Sequence, residues 1–115
     1  MENKLFYSFD DEPVSKFCYD ISNQRIEVHF TGHYDLQKEN NNFITGPCIF
    51  IIENWKEAKS KIGDDNKLYP LNNHIGVFSM ILFMNFSNNS LEMLVRTIDN
   101  RYVTFIFLEP NLSLW

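Results

Sequence analysis

Two histidines and two carboxylates, Glu27, His29, His33 and Asp35, fall within the nine residues EVHFTGHYD. These are the groups that metal sites and general acid–base catalysis use, and their spacing decides whether they can converge. In RIEVHFTGHY the apolar Ile26, Val28 and Phe30 alternate with polar neighbours, which predicts a strand with one face on the core and one in water. On such a strand Glu27, His29, Thr31, His33 and Asp35 share the polar face. At about 3.3 Å per residue the histidines stand roughly 13 Å apart, whereas one metal needs both within about 2 Å. The row is therefore expected to be an exposed polar face and a candidate contact surface. A small enzyme or metal-binding protein using residues 27–35 is the second reading, and it requires a bulge at Gly32 to curl the strand.

Other chemistry is sparse in the chain. There is no GxSxG, no HExxH, no DxDxDG and no glycine-rich run between a strand and a helix. His74 stands alone before an apolar segment. Cys18 and Cys48 sit in FCY and PCIFII without CxxC spacing, so both read as small buried hydrophobes. The expectation is a protein that is not an enzyme and holds no metal or cofactor.

The elements around these residues are mostly strands. Val14 to Tyr19 reads as a hairpin partner of the 25–34 strand, joined through a turn at Ile21, Ser22, Asn23 and Gln24. Cys48 to Ile52 is β-branched and aromatic, with Gly46 and Pro47 opening it. NWKEAKSKI has helical composition, Asn54 as a cap and Gly63 as a stop, so the one short helix is expected near 54–62. A polar loop, 63–73, follows. The segments 75–86, 90–98 and 101–108 are joined by loops of two to four residues and predict an antiparallel meander. Because 75–86 is apolar at both parities, that strand is expected to be central and covered on both faces. The fold expected is mainly β (α+β): about six antiparallel strands in a curved sheet, sandwich or half-barrel, in a single domain over 1–115.

Composition narrows the partners. With 44% hydrophobic residues and eleven phenylalanines, 115 residues supply a core without staples. A net charge of −5 argues against direct nucleic-acid binding, which needs Lys and Arg to displace counterions. The longest apolar run, 75–86, is too short for a helical membrane span. The first residues lack the basic start and apolar run of a signal peptide, which leaves a cytoplasmic protein as the expectation. Exposed carboxylates are expected at Asp10, Asp11 and Glu12, at Asp64 and Asp65, and at Glu27 and Asp35, where they suit a basic protein partner. Tyr34, Trp55, Tyr69 and Trp115, at or near segment ends, are candidate contact aromatics. The partner-binding candidates are Glu27, His29, Thr31, His33, Asp35, Asp64, Asp65 and Tyr69.

From Ile26 through Lys61 a polar strand ends in TGHYD, an Asn-rich loop follows, and then comes GPCIFIIENWKEAK. With the early SFDD and the later meander, this layout resembles the small immunity proteins encoded beside bacterial polymorphic and contact-dependent inhibition toxins. The resemblance implies a cytoplasmic protein that binds a cognate toxin domain, often a nuclease, and covers its active or substrate-binding surface. Whether it acts as a monomer or a homodimer stays open.

Overall fold

The computed structural model describes residues 7–37 and 43–115; the Asn40 to Asn42 run lies outside the described residues. In chain order the elements are β1 (Tyr7–Ser8), β2 (Glu12–Pro13), β3 (Lys16–Asp20), β4 (Arg25–Asp35), β5 (Phe43–Glu53), β6 (Glu57–Ile62), β7 (Tyr69–Pro70), α1 (Leu71–His74), β8 (Phe78–Ser87), β9 (Ser90–Thr97), β10 (Tyr102–Leu108) and β11 (Asn111–Leu114). All pairings are antiparallel, and they form two curled sheets in a half-barrel arrangement. One sheet runs β1-β4-β5-β11, with β3 beside β1 along the same edge of β4; the other runs β2-β8-β9-β10-β6-β7. The mainly β, antiparallel class expected from the sequence is the class observed.

The chain crosses between sheets repeatedly, and apolar side chains fix the crossings. Inward residues of β4 and β5 (Ile26, Val28, Phe30, Phe50 and Ile52) share one core with Leu91, Met93 and Val95 of β9 and Val103, Phe105 and Phe107 of β10. Trp55, 6% exposed, lies in the crossing from β5 to β6, its ring centre 5.1 Å from that of Phe107 and 6.4 Å from that of Tyr19. It is a core residue and not a contact aromatic.

At the amino-terminal end Phe9, fully buried, stacks on Phe30 with centroids 4.2 Å apart and planes 9° apart. Tyr7 lies 5.8 Å from Phe50, and burial pushes its hydroxyl up to about 12. The folded value is raised, so this contribution to stability is whole below the ordinary tyrosine value near 10 and is lost as pH climbs toward about 12. The urea midpoint of the native chain is therefore expected to fall more steeply above pH 10 than that of Tyr7→Phe. At pH 7 the two should agree within about 0.5 kcal/mol; equal alkaline slopes would show that Tyr7 titrates freely.

Three expectations need correction. The segment expected as a helix near 54–62 is strand β6 over 57–62, and the helical turn falls at Leu71–His74. Glu57, Lys59 and Lys61 alternate with Ala58, Ser60 and Ile62. Pairing with β10 then outweighs the helical propensity of Glu, Ala and Lys. Ser60, fully buried, donates to the Pro70 carbonyl at 2.9 Å and ties β7 to this strand.

The apolar 75–86 segment is not covered on both faces: Val77 and Phe83 are 46% and 48% exposed. Its register with β9 shifts twice, between Phe78 and Met80 and between Ile81 and Phe83, so Ser79 and Leu82 are the extra residues of two bulges. Phe78, Ile81, Met84 and Phe86 consequently share the inner face despite their mixed parity. The Ser79 hydroxyl donates to the Arg96 carbonyl at 2.9 Å and accepts from Arg96 Nε, meeting the polar needs of the first bulge.

The third correction concerns the row on β4. Its pairing with β5 shifts between Phe30 and Gly32, where Gly46 and Pro47 together oppose Thr31. Gly46, at φ 142°, takes the conformation that this bulge needs. Beyond the shift His33 leaves the row, its ring centre lying 6.2 Å from that of the buried Phe9.

Candidate functional site

The turn that carries Phe9 inward also gathers carboxylates. Glu12 N–H donates to the Phe9 carbonyl at 2.9 Å, which places Asp10 and Asp11 at the tip, with Asp11 left-handed at φ 62°. Aspartate tolerates that conformation better than most residues. β1 lies against the end of β4 with Ser8 opposite Tyr34, so Ser8, Asp10, Asp11, Tyr34 and Leu36 line one shallow concavity of about 310 Å³. Leu36 is 52% exposed, and Oδ1 of Asp10 is buried with no hydrogen-bond partner among the described residues. Asp10, Asp11, Glu12 and Asp35 form no ion pair with any described residue. By contrast Glu27, Glu53, Glu57, Asp99 and Glu109 all do. Among the described residues this negative charge is uncompensated, and it lies beside a phenol ring and an aliphatic side chain, a setting that suits a cationic side chain with an apolar stem.

The outer face of the five-stranded sheet is a second surface. Register assembles it into rows across four strands: Trp115, Ile49, His29 and Lys16 form one, and Ser113, Ile51, Glu27 and Cys18 the next. Trp115 is 74% exposed and held at the sheet edge by two backbone bonds to Ile49. Glu27 is engaged by Arg25, which also reaches Glu53 at 2.8 Å. Bonds from those two carboxylates, Glu27 first, hold the guanidinium above its ordinary pKa despite some desolvation. Thr31 is exposed, as expected of the row. This face presents one large aromatic anchor with a polar and charged border.

The remaining candidates lie elsewhere. Asp64 and Asp65 are exposed between β6 and β7, at the far edge of the six-stranded sheet, and Asp65 Oδ1 accepts from the Lys67 N–H at 2.9 Å. Tyr69 has the Lys67 ammonium 5.3 Å from its ring centre and the His74 ring edge-on at 5.1 Å. The structure therefore brings Glu27, His29 and Thr31 together, turns His33 toward Phe9, pairs Asp35 with Tyr7 of β1 outside the lining of the concavity, and leaves Asp64, Asp65 and Tyr69 as a separate patch. Ile49 and Lys16 join the face only through register, a signal that no local motif carries.

The nucleophile and metal candidates are also placed. Cys18 opposes outward Glu27 while Cys48 opposes inward Phe30, so the two free thiols stand on opposite faces of one sheet. Burial pushes the Cys48 thiol up, and the charge of Glu12 adds to the effect. Among the described residues, no group of three or more His, Cys, Asp and Glu is placed to hold a metal ion, and no helix is long and apolar enough to cross a membrane.

Comparison with protein families, characterised proteins and solved structures finds no match for this chain.

Proposed function

We propose that this chain is an immunity protein of the cytoplasm that binds a cognate bacterial toxin domain and covers its active or substrate-binding surface. The observation that carries the reading is the concavity of Ser8, Asp10, Asp11, Tyr34 and Leu36, where carboxylates with no ion pair to any described residue sit beside apolar contact area. A nuclease domain presents Lys and Arg to hold phosphate, and those side chains match such a site. The exposed Trp115, with Ile49 beside it, supplies an anchor of the kind that dominates binding energy, and Glu27, His29 and Thr31 form its polar border. A stable complex requires about 1,200–2,000 Å² of total buried surface.

Titration calorimetry with the toxin-like domain encoded by the adjoining gene tests this. Tight binding is expected, and the paired change Asp10→Asn with Asp11→Asn should weaken it about tenfold or more at low salt, with a smaller effect at high salt. Absence of binding by the native chain would overturn the proposal.

A further inference from the structure

We propose that the free edge of β8 is a self-association edge, where two copies of this chain pair antiparallel about a twofold axis at Asn85. β9 lines one side of β8 throughout, whereas on the other side β2 pairs only with Met80 and Ile81. Backbone bonds from Val14 and Asp11 to the Ser79 and Ile81 carbonyls complete that coverage. Along 82–87 this side has no strand partner among the described residues.

The turn after β8 shows which groups are free. Ser87 and Ser90 face each other across Asn88 and Asn89, at φ 52° and 57°, the two left-handed residues of a type I′ hairpin. Residues flanking such a turn exchange both backbone bonds, so Ser87, Asn85 and Phe83 bond toward β9. Met84 and Phe86 then aim their N–H and C=O groups at the open side.

Charge selects a second copy as the occupant. A twofold contact between chains of net charge −5 brings like charges together unless the touching strand is neutral; residues 75–91 contain no charged side chain, and the bordering carboxylates, Glu92 opposite Asn85 and Glu12 opposite Ile81, belong to the neighbouring strands. The other edges are blunted among the described residues: β2 has Glu12 and Pro13, β7 has Pro70, β3 has Lys16 and Asp20, β1 and β11 are only two and four residues long, and β5 beyond β11 carries the Gly46–Pro47 bulge. With the axis at Asn85, Met84 of one copy exchanges backbone bonds with Phe86 of the other. The two exposed Asn85 amides meet across the axis, where they can bond to each other. Half-buried Met84 and Phe86 already pack on the core, so pairing joins the two cores. Pro70 at the opposite edge of the same sheet ends the assembly at two copies.

Sedimentation equilibrium and amide exchange of the whole chain test the proposal. The expected mass is about twice 13.7 kDa. Protection at the Met84 and Phe86 amides should rise with protein concentration, whereas Asn85 and Ser87 stay protected throughout. Asn85→Asp sets two carboxylates at the axis, each already beside Glu92 of its own β9, and should raise the dissociation constant at least about tenfold with the fold intact by circular dichroism. A monomer at every concentration would overturn the proposal, as would a dimer that ignores Asn85→Asp, fast exchange at Met84 and Phe86 in the dimer, or open-ended assemblies.

Discussion

Phe9→Ala is expected to lower the free energy of unfolding by about 3–5 kcal/mol. The ring is fully buried and contacts four others: Phe30 at 4.2 Å, Phe50 at 5.1 Å, Tyr7 at 5.6 Å and His33 at 6.2 Å between centroids. Truncation removes the transfer free energy of the phenyl ring, opens a cavity and abolishes a stacked pair; each loss acts in the same direction. Collapse is limited because neighbouring Phe30 and Phe50 are fixed within paired strands β4 and β5.

The consequences should reach beyond global stability. The segment from Tyr7 to Ser15 leaves the five-stranded sheet, hooks β8 through β2 and returns, with strands of two residues at each contact. So few backbone bonds hold it weakly without the aromatic anchor. In Phe9→Ala, the amides of Asp11 and Val14, which donate to Ile81 and Ser79, should exchange faster than those of β9 and β10. A loss under about 1 kcal/mol in urea denaturation, with exchange at these amides unchanged, would place Phe9 outside the core. Loosening this turn also disperses Asp10 and Asp11, so the same variant should bind a basic partner poorly even below its unfolding transition.

Local pattern made much of this architecture legible, and the failures have specific physical causes. The β3–β4 hairpin and the β8–β10 meander follow from apolar periodicity and from Asn at left-handed positions such as Asn88, Asn89 and Asn100. In EAKSKI the alternation of charged with small or apolar residues competes with strong helix formers, and pairing with β10 decides for the strand. In 75–86 two bulges placed residues of both parities on one face, a pattern that mimics a strand buried on both sides. The surfaces were the least legible part. Trp115, Ile49, His29 and Lys16 come from four strands and form a row only through register. The acidic concavity joins Asp10 and Asp11 to Tyr34 and Leu36 across a chain crossing. The phrases that carried the family resemblance also have local structural duties: GPC forms the β5 bulge, and NWKEAK forms the crossing into β6 with Asn54 left-handed at φ 53°.

Gly32→Val is expected to cost about 1–3 kcal/mol by overpacking, and the reason settles what the glycine in EVHFTGHYD does. Its backbone is not left-handed, unlike that of Gly46 and Gly63, so the requirement is for space. A Cβ there would stand 2.5 Å from Cζ of Phe43 and 3.0 Å from the Ile44 carbonyl oxygen. The Phe43 ring lies across the glycine and meets Tyr34 edge-on at 5.1 Å, which seals this end of the β4–β5 pair. Phe43 is 36% exposed and its ring can swing away, whereas the Ile44 carbonyl belongs to the ladder. Placing Gly32→Val in a Phe43→Ala background should therefore recover about half of the loss, giving a coupling of about 1 kcal/mol between the sites. Full additivity would mean that the ring is not the obstacle. Complete rescue would mean that the carbonyl is not one. Partial rescue is the result expected of a glycine that works as the floor beneath an aromatic lid, and the bulge that ends the polar row lies on the facing strand at Gly46 and Pro47.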